Sequence, residues 1–332
     1  MSYSIGLLRE EELAAFRAFC GEHWGSEHPL IHNEAMFDYY YRRGERINFM
    51  RARDDETGDI LSVCGFLFAN ESTTPDVFLS YILSKPGAPL SVGLALVEEI
   101  RRTTGCRVCS CNNVRKKVKG FYGFLGFDFV QMTQFYRLNT DLQKYTLCNI
   151  KRYKQLPVER KAATFRRIET ERGLDSFDFE AYADLSPYKD RQYAAHRYFR
   201  NPWLGYEVYA VGEGEGDEGL LVLRDIEHEG HRVLRVVDFI GRRDLIPACG
   251  GHLDALLRQR GAEFCDWYCW GIGEEVMAAA GFQPRAPKDE NILPNYLSPP
   301  LMENVDFYIV TDRSEGFAMF KADGDQDRPN LG

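Results

Sequence analysis

FLSYILSKPGAPLSVGLALVEEIRRTTGCRVCSCNNVRKKVKGFYGFLGF, residues Phe78–Phe127, is the stretch whose reading decides the fold. Phe78–Leu83 is rich in strand formers, and Ser84–Pro89 is a turn punctuated by proline and glycine. Leu90, Leu94, Val97 and Ile100 then recur at helical spacing, Gly105 stops the helix, and Arg107–Cys111 reads as a second strand. A short helix carrying Tyr122 closes on Gly126-Phe127. Strand, turn, helix and strand in this order form a right-handed crossover, which predicts two adjacent parallel strands. The turn sets free backbone N–H groups and a helix N-terminus at the carboxyl end of the first strand, a geometry suited to a pyrophosphate.

Working outward, residues 1–22 read as a strand and then a helix, and Asn33–Arg43 as a strongly aromatic second helix. Ile47–Arg53 and Ile60–Phe68 alternate as strands across an Asp54–Asp59 turn, and Phe129–Asn139 completes a first sheet. Residues 140–165 form a connection rich in Lys and Arg, which predicts domains at 1–150 and 151–332. In the second half, Ser176–Leu185 and Pro187–Tyr198 read as helices. Tyr206–Val211, Gly219–Asp225 and His231–Ile240 read as strands. Leu245–Arg260 is a helix, Glu263–Trp270 a strand, and Glu274–Ala280 a short helix ending in Gly281-Phe282. The strand-to-Gly-Phe interval repeats, so the chain reads as an internal duplication of one mixed α+β unit. The second copy lacks the tyrosine and carries Asp244 in its turn, where an anion would want donors, so the first copy is the better candidate for the functional site.

Composition bounds the function. The chain has 332 residues, 44% hydrophobic and 27% charged, with a formal net charge of −9. That balance argues against a nucleic-acid or anionic-membrane partner, while leaving room for a local anion pocket. No signal peptide or membrane span is read at the N-terminus, and nine scattered cysteines suggest reduced thiols in the cytoplasm. Cys106, Cys109 and Cys111 lack the second ligand cluster a zinc site needs, so no metal is expected. The string from Asp323 to Asp327 lacks the length and closing Glu of a calcium loop.

The close Phe121-Tyr122-Gly123-Phe124-Leu125-Gly126-Phe127 resembles the (F/L)Y-x-x-x-GF ending of the Gcn5-related N-acetyltransferase superfamily. The resemblance implies tandem GNAT-like domains, each a twisted mixed sheet flanked by helices, with acyl-CoA between splayed strands of the first. Tyr122 would then protonate the departing thiolate. Contacts to acyl-CoA would come from Leu83, Ser84 and Lys85 at the strand end, Gly87 and Ala88 in the turn, and Asn113. Ser91, Val92 and Gly93 would add the first turn of the helix. The chain departs from the family loop (R/Q)-x-x-G-x-(G/A), since Ala88 stands at the basic position. A backbone N–H near Leu83–Lys85 is expected to steady the oxyanion.

Asp289–Tyr296, Asn304–Tyr308 and Lys321–Asn330 resemble segments of two-lobed N-acyltransferases of bacterial surface-polysaccharide synthesis. Those enzymes acylate the amine of a nucleotide-linked amino sugar. The likeness implies acceptor contacts from Trp24, His32 and Tyr40, from Asn291, Asn295 and Tyr296, and from Asp325 and Arg328. Asp238 and His28 are the candidate bases. Each has a blander reading: an aromatic core face for the first group, a tail that caps a sheet edge for the last, a structural acid for Asp238. Two other functions stay open, an aminoacyl-tRNA-dependent peptidyltransferase and a non-catalytic module binding a nucleotide sugar or a protein.

Overall fold

A computed structural model describes residues 2–25, 28–158, 163–214, 216–286 and 290–329. The chain opens with strand β1 (Tyr3–Leu7), helix α1 (Leu13–His23), the single turn α2 (Pro29–His32) and helix α3 (Glu34–Tyr41). Asn33 starts α3, its Oδ1 accepting from the Met36 N–H at 2.9 Å. The two-residue strands β2 (Arg42–Arg43) and β3 (Arg46–Ile47) pair with each other apart from the main sheet. There follow β4 (Phe49–Asp54), β5 (Ile60–Phe68), β6 (Asp76–Ser84), α4 (Leu90–Thr104), β7 (Val108–Val114), α5 (Lys119–Phe124) and β8 (Asp128–Leu138).

The second half contributes β9 (Thr164–Ile168), α6 (Arg191–Ala194), β10 (Glu207–Gly212), β11 (Gly219–His228) and β12 (His231–Gly241). After α7 (Ile246–Gln259) come β13 (Phe264–Trp270), α8 (Glu274–Ala279), β14 (Gln283–Pro284), β15 (Phe307–Thr311) and β16 (Met319–Phe320). The result is α+β: one 14-stranded mixed sheet in the order β1-β4-β5-β6-β7-β15-β8-β13-β12-β11-β10-β9, with β14 on β8 and β16 on β13.

The parallel crossover expected at the outset is present, and it occurs twice. β6 and β7 pair in parallel around α4, and β12 and β13 do so around α7. Both helices lie on the sheet through an apolar stripe: Val92, Leu96, Val97 and Ile100 from α4, and Ile246, Cys249, Leu253 and Leu257 from α7. The α4 stripe differs from the expected one, because Leu90 sits at the exposed first position, 56% accessible, and the buried face is rotated to Val92 and Leu96. Truncating Leu96 to Ala in this packing costs about 2–5 kcal/mol. Gly105 ends α4 at φ 59°, in the left-handed region where glycine costs least.

The halves do not stay separate. β8 is the seam: its first part pairs with β15 (Met132 with Phe307) and its second with β13 (Leu138 with Phe264). β15 comes from the C-terminal half yet lies between β7 and β8. The expected helices Ser176–Leu185 and Pro187–Tyr198 are instead short turns: 3₁₀ segments Glu171–Ser176 and Glu180–Tyr182, then α6 and a wide turn at Ala195–Phe199. Pro187 cannot continue a helix, and the Asp190 carboxylate restarts one by accepting from the Tyr193 N–H at 2.7 Å.

All nine cysteines are free thiols. Among the described residues no group of three His, Cys, Asp or Glu is placed to hold a metal, and no helix is long and apolar enough to cross a membrane.

Candidate functional site

The sheet opens where β6 and β7 part. They pair only from Asp76 with Val108 to Leu79 with Cys111, although β6 runs on to Ser84 and β7 to Val114. Both strands are bent at that level. On β6, Ser80 and Tyr81 stand opposite the single Gly65 of β5. On β7, Asn113 has φ 57° and the pairing with β15 shifts between Tyr308 and Val310. Bulges bend a strand away from its neighbour, so two facing each other force a splay. Gly65 permits the first one: a Cβ there would lie 2.8 Å from the Phe49 ring and 3.1 Å from that of Tyr41.

On the α4 face of the gap, the turn Lys85–Pro89 is closed by Ala88 N–H to the Lys85 carbonyl, 3.0 Å. No side chain caps α4, and the Val92 N–H goes to the Pro89 carbonyl at 3.0 Å, which leaves the Leu90 and Ser91 amides for an anion. Gly93 lets α5 approach: a Cβ would sit 3.2 Å from Phe121 and 3.4 Å from Ser84 Oγ. Val92 and Tyr122 lie in the same apolar cluster as Cys111, the last β7 residue before the gap. Tyr122 is 2% exposed. Burial, then the neighbouring Cys111 and Cys64 thiols, hold its phenol well above the usual range, so it keeps its proton at neutral pH.

Of the backbone N–H donors expected near Leu83–Lys85, one is already used. The Lys85 N–H is spent on the Leu61 carbonyl at 2.8 Å, and Ser84 Oγ lies 2.8 Å from Ser62 Oγ. The bulge stands earlier, at Ser80–Tyr81.

The opposite face of the gap is crossed by the tail. Asp325 Oδ2 accepts from Ser80 Oγ at 2.6 Å, Asn112 Nδ2 donates to the Phe320 and Asp323 carbonyls at 3.0 and 3.2 Å, and Asn113 Nδ2 donates to Gln326 at 3.0 Å. Beyond it lies a cavity of about 660 Å³ between the halves, with His28, Asn113, Asn295, Tyr296 and Arg328 on its wall. His28 stacks on Trp24 with ring centres 3.5 Å apart, and Trp24 lies tilted against the bulge residue Tyr81, also at 3.5 Å. Burial and then Arg328 lower the His28 pKa to about 4, so its imidazole is neutral at pH 7. Its Nδ1 has no partner among the described residues. Asp325 borders this wall, paired with Arg328 at 3.3 Å.

Other expected residues lie elsewhere. Asp238 is fully enclosed between the Lys189 ammonium at 2.5 Å, the Tyr198 hydroxyl at 2.5 Å and its neighbour's N–H, Phe239, at 2.8 Å. Asn291 accepts from the Lys151 and Arg152 N–H groups and donates to Tyr136, fastening a loop. Tyr40 accepts from Arg197 and faces a second cavity of about 320 Å³, and His32 is exposed. Asp289 and Asn330 are outside the described residues. Lys321, Arg224 and Arg235, which the sequence did not single out, also line the large cavity.

The second parallel pair separates in the same way, after Val236 with Trp267, beside a bulge between Val222 and Leu223. Here the gap is filled. β16 pairs Phe320 with Cys269 and Met319 with Trp270, and the Ala322 N–H donates to the Val237 carbonyl at 2.9 Å. Lys189 bridges Asp238 and Asp323 beneath this plug, 2.5 Å from each.

No family model matches the sequence, and no curated protein matches it. Solved structures do match in fold. A probable N-acyltransferase from Enterococcus faecalis V583 is 12% identical, with a TM-score of 0.54 over 94% of this chain and 72% of that one. A GCN5-related N-acetyltransferase from Anabaena variabilis is 8% identical, with a TM-score of 0.53 over 93% of this chain and 72% of its own. One from Kribbella flavida is 11% identical, with a TM-score of 0.52 over 93% of this chain and 70% of its own. The parted strands, the helix between them and the doubled arrangement are thus built on the fold of the GCN5-related N-acetyltransferases.

Proposed function

We propose that this chain is an acyl-CoA-dependent N-acyltransferase whose acceptor is the amino group of a nucleotide-linked amino sugar, in surface-polysaccharide synthesis. The observation that carries this reading is the open gap between β6 and β7, with a protonated phenol on one face and a large cavity on the other. The amine nitrogen attacks the thioester carbonyl, the C–S bond breaks, and the sulfur takes the proton of Tyr122. The amine's own proton passes to the neutral His28 imidazole or to water. Positioning supplies much of the rate, because a neutral amine beside a thioester needs little further activation. Gly87, Ala88 and Ser91 with the α4 amides hold the CoA diphosphate, and the tail residues Asp325 and Arg328 frame the acceptor.

The test is mass spectrometry of products after incubation with a panel of acyl-CoAs and nucleotide-linked amino sugars. A product heavier by one acyl group on the amine is expected. No acylated product from any pair contradicts the reading.

A further inference from the structure

The wall of the 660 Å³ cavity is strongly cationic in a protein whose net charge is −9. Among the described residues, Arg224, Arg235, Lys321 and Arg328 line it against one lining carboxylate, Asp327. Three of these cations are already paired. Arg235 grips Asp266 through two bonds of 2.8 and 2.7 Å, Arg224 meets Asp327 at 2.6 Å, and Arg328 meets Asp325 at 3.3 Å.

Lys321 is different. It is 6% exposed, yet its ammonium has neither a carboxylate nor a hydrogen-bond partner among the described residues, and rests 3.7 Å from the centre of the Phe307 ring. Its place follows from the strand it leaves: Met319 and Phe320 of β16 face opposite sides, Phe320 toward the α7-side core, and Lys321, one residue past the strand, lies over the Phe307 and Tyr268 rings on the other side. A buried cation without a counter-ion is costly, and sites that keep one commonly bind a charged ligand. Asn295 is 5% exposed on the same wall, and its Oδ1 is also without a partner among the described residues. A lone cation beside a lone acceptor asks for a ligand that is anionic at one end and offers O–H or N–H at the other.

We propose that this cavity seats the diphosphate of a nucleotide-linked acceptor against the Lys321 ammonium, with Arg224 beside it and Asn295 receiving a hydroxyl or amine of the sugar. The assignment rests on the acceptor class proposed above and adds a protonation step to its binding. Burial, then Arg235, depress Lys321 to about 7; Arg224 adds to this, while Asp327 and Asp266 oppose it. Tyr268, whose ring lies 5.3 Å from the ammonium, completes the groups facing it. A bound dianion favours the charged form and raises the lysine pKa. Binding is therefore insensitive to this group below pH 7 and weakens above it, by up to about tenfold per pH unit, with proton uptake.

The test uses calorimetry with UDP-N-acetylglucosamine and GDP-mannose, whose diphosphate diesters keep a fixed charge, in buffers of different ionisation enthalpy between pH 6.5 and 8.5. Wild-type protein should bind with proton uptake above pH 7. Lys321→Met should weaken binding about tenfold or more, a typical loss for a charged contact. Lys321→Arg should bind with no proton uptake. Equal affinity in wild type and Lys321→Met, no binding of either probe to wild type, or no proton uptake overturns the proposal. Acetyl-CoA titrated into the same samples serves as the folding control and separates the two readings. If acetyl-CoA binds while neither nucleotide sugar does, this assignment and its acceptor class fail while the acyltransferase reading stands. If nucleotide sugars bind through Lys321 while acetyl-CoA does not bind wild type, only the acyltransferase reading fails.

Discussion

The two halves make the same parallel pair, part it beside the same kind of bulge, and then treat the gap in opposite ways. Between β12 and β13 the chain inserts its own strand, Met319–Phe320, and fastens it with a buried Lys189 shared by Asp238 and Asp323. Between β6 and β7 no described residue inserts along the strands: the tail crosses one face, held by Asn112, Asn113 and Ser80. An unpaired strand edge must find partners for its N–H and C=O groups. One gap satisfies that requirement permanently, which makes it architecture. The other leaves the requirement open, as the proposed acyl-CoA site needs. The two parallel pairs thus differ in one respect: one gap is filled by the chain's own strand, and the other is not filled by any described residue.

The largest effect should come from the plug itself. Lys189→Met leaves Asp238 and Asp323 facing each other without a cation, and should destabilise the fold by about 3–5 kcal/mol, read by urea denaturation. Next, Tyr122→Phe should lower turnover about 100-fold while leaving acetyl-CoA affinity within about twofold, as expected when a proton donor is lost but packing is kept. Unchanged turnover would remove the general-acid role.

The same contrast sharpens through pH. Burial raises the Asp323 pKa to about 6, more than Lys189 lowers it. An acid with a raised folded pKa adds stability at low pH and loses it as pH climbs through that value. The plug should therefore be tighter at pH 5 than at pH 7.5, and Asp323→Asn should flatten the dependence of melting temperature across that window. A slope unchanged in the variant would place the titration elsewhere. The smallest effects concern the two helix entrances. Ser91→Asp should weaken acetyl-CoA binding about tenfold by adding charge at the α4 N-terminus, whereas Asp244→Ala at the α7 entrance should leave it unchanged. Sensitivity at Asp244 would mean the wrong gap has been chosen.

Much of this was legible in the sequence because it rests on local signals. Gly105 stops α4, the aromatic α3 begins where Asn33 caps it, and the repeated Gly-Phe closes mark the duplication. The preference for the first copy as the site also rests on local chemistry, the absence of a tyrosine near Gly281 and the acid Asp244 in the second turn. What stayed hidden depends on partners far along the chain. Nothing in Phe307–Thr311 announces that it will pair with β7 and β8, and nothing in Met319–Phe320 announces a plug. The polar strings are visible in the sequence but cannot be sorted from it: Asn291 fastens a loop while Asn295, four positions on, faces the cavity. Lys321 escaped because its meaning lies in what surrounds it, an aromatic floor without a carboxylate among the described residues.

A crystal structure with acetyl-CoA tests the central claim most directly. The account predicts the pantetheine arm lying between β6 and β7, with its sulfur beside Tyr122 and its diphosphate at the start of α4. Coenzyme bound between β12 and β13 with Met319–Phe320 expelled, or density in neither gap at saturating concentration, would contradict it.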